Sequence, residues 1–157
     1  MPEKWTIVRV GDESLIDELV GINLEAFSRP WTREMFLEEL RQPERSFLLG
    51  ALSESRGVVG YCSVWRVLDS LQINSIAVSK TWRGRGIGIT LLTAVLNLGR
   101  KLGVVRISLE VRSSNLAARA LYRRLAFMET GQRKGYYSQP VEDAVILSRC
   151  LESTRAV

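Results

Sequence analysis

The segment Arg83-Gly84-Arg85-Gly86-Ile87-Gly88 has the clearest chemical capacity in the chain. Three alternate glycines let a backbone approach a ligand closely and aim successive N–H groups at one point. The segment follows an apolar run ending Ile76-Ala77-Val78 and opens a stretch of helical periodicity, so the positive end of a helix adds to those donors. This combination is suited to a pyrophosphate; the alternative is a glycine-rich turn without a ligand. A Walker loop is excluded, because it needs Gly-Lys followed by Ser or Thr. A dinucleotide fingerprint needs glycine at the position of Ile89 and belongs to a chain's first βαβ unit, not to a place after four strands.

Two further residues are chemically notable. In the strand around Ile107–Val111, Ile107, Leu109 and Val111 point to one face while Ser108, Glu110 and Arg112 point to the other. A carboxylate midway along a central strand is costly unless it faces a cleft or a partner. Glu110 is therefore either a base in a cleft or half of a structural ion pair with Arg112 or Arg106. Tyr122 lies in a helical stretch; its phenol is protonated at neutral pH and can donate, or its ring anchors the helix beside Leu121 and Leu125. The chain has no histidine, which removes histidine-based triads and most zinc sites, and no metal is expected. Cys62 and Cys150 both fall in strand-like segments and are expected as two buried free thiols.

The elements that must position these residues follow from periodicity. Strands are expected at Trp5–Val10, Ser46–Leu52, Val58–Val67, Ser70–Val78, Val105–Val111, Phe127–Thr130 and Ala144–Cys150. Leu15–Phe27 carries apolar residues at helical spacing, and Thr32 is suited to cap a short helix running to about Leu40. Ile87, Leu91, Val95, Leu98 and Leu102 share one face of a longer helix that Gly103 ends, and Asn115–Leu125 forms another. Short turns at Glu54–Gly57 and Leu68–Asp69 make the middle strands antiparallel neighbours. The helix after the glycine loop makes a βαβ crossover, so the strands flanking it should be parallel and central. The order β-α-α-β-β-β-α-β-α-β-β is that of an α/β chain with about seven strands and four helices.

The 157 residues suit one domain spanning 1–157. No stretch approaches the roughly 20 apolar residues that a bilayer requires, and Met1-Pro2-Glu3-Lys4-Trp5 lacks the apolar run of a signal peptide. A cytoplasmic address is expected, with no membrane partner. The net charge of +5 is compatible with an acidic ligand, a ribosomal surface, RNA or a plainly basic exterior.

Arg83, Gly86 and Gly88 form an R-x-x-G-x-G pattern that resembles the coenzyme A loop of the GNAT acetyltransferases. Ser108-Leu109-Glu110-Val111-Arg112-Ser113-Ser114-Asn115, followed by Ala120-Leu121-Tyr122-Arg123-Arg124-Leu125-Ala126-Phe127, resembles the region that comes next in that superfamily. Ala26-Phe27-Ser28-Arg29-Pro30-Trp31, Asn74-Ser75-Ile76-Ala77-Val78 and Tyr136-Tyr137-Ser138 extend the similarity over nearly the whole chain, toward the bacterial ribosomal-protein alanine N-acetyltransferases. The resemblance implies a single-domain GNAT fold, acetyl-CoA as co-substrate and a protein N-terminus, that of a ribosomal protein, as acceptor. It implies Glu110 as proton acceptor and Tyr122 as acid toward the departing thiolate. Backbone groups of Ile76, Ala77 and Val78 would line the pantetheine, the residues Arg83, Gly84, Arg85, Gly86, Ile87, Gly88 and Ile89 would take the pyrophosphate, and Asn115 would contact the coenzyme while capping its helix. Trp31, Tyr136 and Tyr137 are expected walls of the acceptor pocket, with a core aromatic as the other reading of Trp31.

Two positions depart from the family pattern. Ile89 stands where relatives often carry a basic residue, so a phosphate contact is missing. Ala126 replaces the glycine of a Leu-Gly-Phe corner, where a small backbone adjustment is expected. The rival functions are acetylation of a small amine or a lysine, acetyl-CoA binding without turnover, and a basic RNA-binding module. The dispersed arginines weigh against the last, so no direct role with nucleic acid is expected.

Overall fold

The computed structural model describes residues 4–151. Met1, Pro2 and Glu3, part of the N-terminal stretch read above, lie outside the described residues. Seven strands form one sheet: β1 (Trp5–Arg9), β2 (Ser46–Ser53), β3 (Gly57–Val67), β4 (Ser70–Val78), β5 (Arg106–Arg112), β6 (Met128–Tyr137) and β7 (Glu142–Cys150). Four helices accompany them: α1 (Ile16–Ala26), α2 (Arg33–Leu40), α3 (Ile87–Leu102) and α4 (Leu116–Arg124). The expected order of elements holds throughout.

The sheet runs β1-β2-β3-β4-β5-β7-β6, with β4 and β5 parallel and every other neighbouring pair antiparallel. Helices cover both faces. On one, α1 and α2 place Ile16, Leu19, Ile22 and Phe36 against Leu48, Val58 and Tyr61. On the other, Ile87, Leu91, Leu92 and Val95 of α3 and Tyr122 of α4 join Cys62, Ile73, Ile107 and Leu109 in the larger core. Among the described residues no helix is long and apolar enough to cross a membrane.

The local signals act as the sequence suggests. The Thr32 hydroxyl accepts from Met35 N at 3.2 Å and starts α2. Gly103, at φ 72°, ends α3, where a left-handed residue lets its N–H reach back to the last turn. The largest difference is β6, expected over only four residues and found over ten. It is an edge strand whose residues are mostly exposed, so it lacks the apolar alternation that marks a half-buried strand. Register shifts between Glu129 and Gly131 and between Arg133 and Tyr137 break the period further.

One expectation is corrected. Cys62 is buried and free, but Cys150, at the last position of β7, is free and exposed. Ala126 adopts the left-handed conformation that suits glycine, at φ 65°.

Candidate active site

The site begins where β4 and β5 part. Their parallel ladder runs from Ser70↔Arg106 to Ile73↔Leu109 and stops, although β4 continues to Val78 and β5 to Arg112. A bulge accompanies the divergence: Ser63 pairs with Ser75 and Val64 with Ile73, leaving Asn74 as the extra residue on β4. The Asn74 Nδ2 is buried without a hydrogen-bond partner at this point.

The gap has its own donors. The Ser79 N–H donates to the Val59 carbonyl on β3 at 2.8 Å. Backbone groups alternate sides along a strand, so Ala77 turns its N–H and C=O to β3 while Ile76 and Val78 turn theirs to the gap. There the Val78 carbonyl accepts from Arg83 Nε at 3.2 Å, which ties the glycine loop to the end of β4.

Gly84 and Gly86 adopt φ values of 80° and 86°, and a Cβ built on either meets nothing within 4 Å. The loop is therefore open in front of its backbone. Gly86 caps α3 without a side-chain hydrogen bond, so no side chain closes the first turn and its N–H groups face outward. Ile87 directs its side chain into the core, at 1% exposure, and has only its backbone to offer. Arg85 stacks its guanidinium 4.4 Å above the buried Trp82 ring. This open cradle beside unpaired strand backbone fits an extended ligand bearing a pyrophosphate.

On the far side of the gap, Glu110 points to the face opposite Leu109, with its side chain 13% exposed. Its partner is neither Arg112 nor Arg106. Arg133 of β6 reaches it with Nε, 2.8 Å from Oε1, while Arg112 is engaged by Glu142 and the Pro140 carbonyl. The neighbouring Glu110 carboxylate is the main reason the Tyr136 phenol is raised above the usual range. Tyr137 stands edge-on to Tyr136 with ring centroids 5.0 Å apart. Burial first, then the neighbouring Tyr136 and Glu110, push its phenol up to about 12.

Tyr122 is 3% exposed and packs edge-on against Phe127 at 5.5 Å. Burial holds its phenol far above the ordinary value, with smaller contributions from Cys62 and Tyr137. Tyr137 thus lies within electrostatic reach of both Glu110 and Tyr122. Asn115 caps α4, its Oδ1 accepting from Ala118 N at 3.1 Å.

Two distant loops, near in sequence to these residues, are joined. Ser28 donates to the Gln139 carbonyl at 3.2 Å, and Arg29 hydrogen-bonds to Ser138. Trp31 packs on Phe36 at 5.1 Å, and its backbone N–H donates to Asn23 Oδ1 at 2.6 Å. Asn23 also binds Tyr61, whose hydroxyl lies 2.6 Å from Ser75 Oγ on β4. Trp31 is thus packed on the smaller core, as its plainer reading has it, and linked through Asn23 to the strand lining the gap.

The model of the acetyltransferase (GNAT) family matches residues 14–127. The chain belongs to this family. Among its relatives is the [ribosomal protein bS18]-alanine N-acetyltransferase of Salmonella typhimurium, 36% identical over 129 residues, covering 81% of this chain and 85% of the relative. The N-alpha-acetyltransferase RimI of Mycobacterium tuberculosis is 37% identical over 124 residues, covering 76% and 75%. The crystal structure of the ribosomal-protein-S18-alanine N-acetyltransferase from Escherichia coli superposes with a TM-score of 0.85 at 28% identity, covering 98% of this chain and 99% of that one.

Of the expected residues, the loop 83–89 is tied to the end of β4 beside Ile76 and Val78, Glu110 lies with Arg133, Tyr136 and Tyr137, and Tyr122 and Trp31 pack in the larger and smaller cores. Sequence reasoning missed Arg133 and the bridge from Ser28 and Arg29 to Ser138 and Gln139. The bridge joins residues 109 and 111 positions apart and leaves no local signal. Arg133 sits beside a bulge, where strand alternation cannot assign its face.

Proposed function

We propose that this chain transfers the acetyl group of acetyl-CoA to the free α-amino group at a protein N-terminus, with a ribosomal protein beginning in alanine as the acceptor. One observation carries the chemistry: the gap between β4 and β5 has a glycine cradle at one end and a shielded carboxylate, Glu110, on its flank. The choice of acceptor is supported by the names of relatives 34–36% identical over most of the chain. Residues 1–157 act as one domain, in the cytoplasm.

Acetyl-CoA supplies an acyl group activated as a thioester. The N–H groups at the start of α3 and in the loop Arg83–Ile89 hold its pyrophosphate, and the backbone of Ile76 and Val78 holds the extended arm, with Ala77 packed behind them. Asn115 fixes the start of α4 beside the coenzyme. An N–H of β4 hydrogen-bonds the carbonyl oxygen as negative charge develops there. A free α-amino group has a pKa of about 7.7–8.0, so the acceptor arrives largely as ammonium and must lose a proton to attack. Glu110 takes that proton, and Trp31, Tyr136 and Tyr137 wall the acceptor.

As the carbon–sulfur bond breaks, Tyr122 donates a hydrogen bond to the departing sulfur. A thiolate, with a conjugate acid near pKa 8.5, is a weaker base than a phenolate, near 10. Burial raises the Tyr122 phenol further, so the tyrosine stabilises the thiolate while keeping its own proton, and the second proton that the nitrogen loses as the amide forms passes to the departing sulfur or to solvent.

The deciding experiment is acetyl transfer from labelled acetyl-CoA to short peptides with free Ala, Ser, Met or Gly ends, to N-blocked peptides with an internal lysine, and to polyamines. Transfer confined to free α-amino ends, alanine foremost, is the expected result. Transfer to lysine or polyamines would overturn the acceptor assignment and leave the family untouched.

A further inference from the structure

Arg133 forms an ion pair with Glu110 and has no part in the proposed chemistry. In the sheet, Glu110 lies opposite Ile146 of β7, which lies opposite Gly131 of β6. Arg133 therefore reaches over β7, across two strand spacings of roughly 10 Å in all, to place its Nε 2.8 Å from the carboxylate. Within the pair, the Glu110 side chain is 13% exposed and the Arg133 side chain 56%. The carboxylate is the inner partner and the guanidinium covers it from the solvent side.

This arrangement bears on catalysis because the acceptor also arrives as a cation. The guanidinium and an α-ammonium compete for one carboxylate, and both cannot hold it at close range without like-charge repulsion. We propose that Arg133 is a displaceable counter-ion, a positioning residue that occupies on Glu110 the place an acceptor's ammonium takes. The proposal rests on the reading of Glu110 as the base.

The setting of Arg133 is consistent with displacement. Arg112 is fixed by Glu142 and the Pro140 carbonyl, and Arg119 by Glu129 and the Ser113 carbonyl. Arg133 instead leans over the Tyr136 ring at 5.8 Å, on an edge strand. Arg133 is held in the sheet by its backbone pairing with Ala144, so its side chain can swing without breaking the ladder.

Two consequences follow for specificity. A blocked N-terminus carries no positive charge and cannot replace the guanidinium, so it is refused at Glu110. The product amide is also neutral, so once Glu110 has released the proton to solvent and the acetylated end leaves, Arg133 returns to the carboxylate.

The test compares Arg133→Ala and Arg133→Lys with the unmutated enzyme, using a free-amino alanine peptide in steady-state kinetics and in calorimetry. Arg133→Ala should lower the peptide KM about 5-fold or more with kcat within about 2-fold, and Arg133→Lys should restore the higher KM. Millimolar guanidinium ion should compete with the peptide in Arg133→Ala and have little effect on the unmutated enzyme. Acetyl-CoA affinity should be unchanged in all three, which checks folding independently. An unchanged or raised peptide KM in Arg133→Ala, or no competition by guanidinium, overturns the proposal. Absence of α-amino transfer by the unmutated enzyme overturns the acceptor assignment instead. In that case peptide binding by calorimetry, expected to be tighter in Arg133→Ala, still decides the role of Arg133.

Discussion

The proposed chemistry assigns Glu110 as the base and Tyr122 as the hydrogen-bond donor to the leaving sulfur. Glu110→Gln keeps the shape and removes the base; Tyr122→Phe keeps the ring against Phe127 and removes the donor. Each should lower kcat by about 10²-fold, the scale of a positioned acid or base, with acetyl-CoA binding retained in calorimetry. Near-normal turnover in either variant removes that residue from the mechanism. A different residue tests backbone strain: Ala126 is exposed and left-handed, at φ 65°. An L-residue there costs about 1–2 kcal/mol relative to an unstrained one. Ala126→Gly should therefore raise the melting temperature by about 2–4 °C, as about 1 kcal/mol does in a chain of this size; a fall would show that the corner is not strained. At this scale the sequence was informative where alternation was clean. Glu110 stood out because Ile107, Leu109 and Val111 fix the other face of β5. Arg133 did not, because the bulge beside it conceals which face it occupies.

The glycine loop and α3 act as one element, since the loop's open backbone is useful only with the uncapped first turn behind it. Gly86→Val places a side chain where the backbone is now open, at φ 86°, a conformation costly for a β-branched residue. Coenzyme binding should be lost in calorimetry while the far-ultraviolet circular dichroism persists; unchanged affinity would refute the cradle. Elements were legible in proportion to their burial. The apolar stripe of α3 gave its limits, Ile87 and Leu102, because it packs along the larger core. β6 was mostly invisible because an exposed edge strand has no buried face to impose a period. The interrupted β4–β5 ladder was also out of reach: a helical crossover can show that two strands are parallel, but not where their pairing stops.

Across the molecule, burial raises the ionisation of several groups at once. Tyr122, Tyr61 and the Cys62 thiol are all shifted upward by burial, and Tyr137 reaches about 12. In the unfolded chain a thiol ionises near 8.5 and phenols near 10. Above those values the unfolded state holds fewer protons than the folded state, so stability declines as pH rises. The melting temperature should fall steadily between about pH 9 and pH 12, and a flat profile to pH 11 would contradict the burial of these groups. The topology from which this burial follows was readable in outline from the order of elements, the short turns and the single crossover. The exposure of Cys150 was not, because apolar neighbours in sequence do not reveal that a strand has reached the sheet's end.

The early end of the β4–β5 ladder also affects how long the protein lasts. A sheet interrupted at its centre keeps backbone groups that no strand satisfies, and a ligand seated there completes the pairing only in the folded chain. By mass action, coenzyme at a hundred times its dissociation constant adds about 2.7 kcal/mol to the stability of the fold. Resistance to heat and proteolysis should therefore rise and fall with the acetyl-CoA supply, so that a starved cell holds an enzyme that is both idle and easier to degrade.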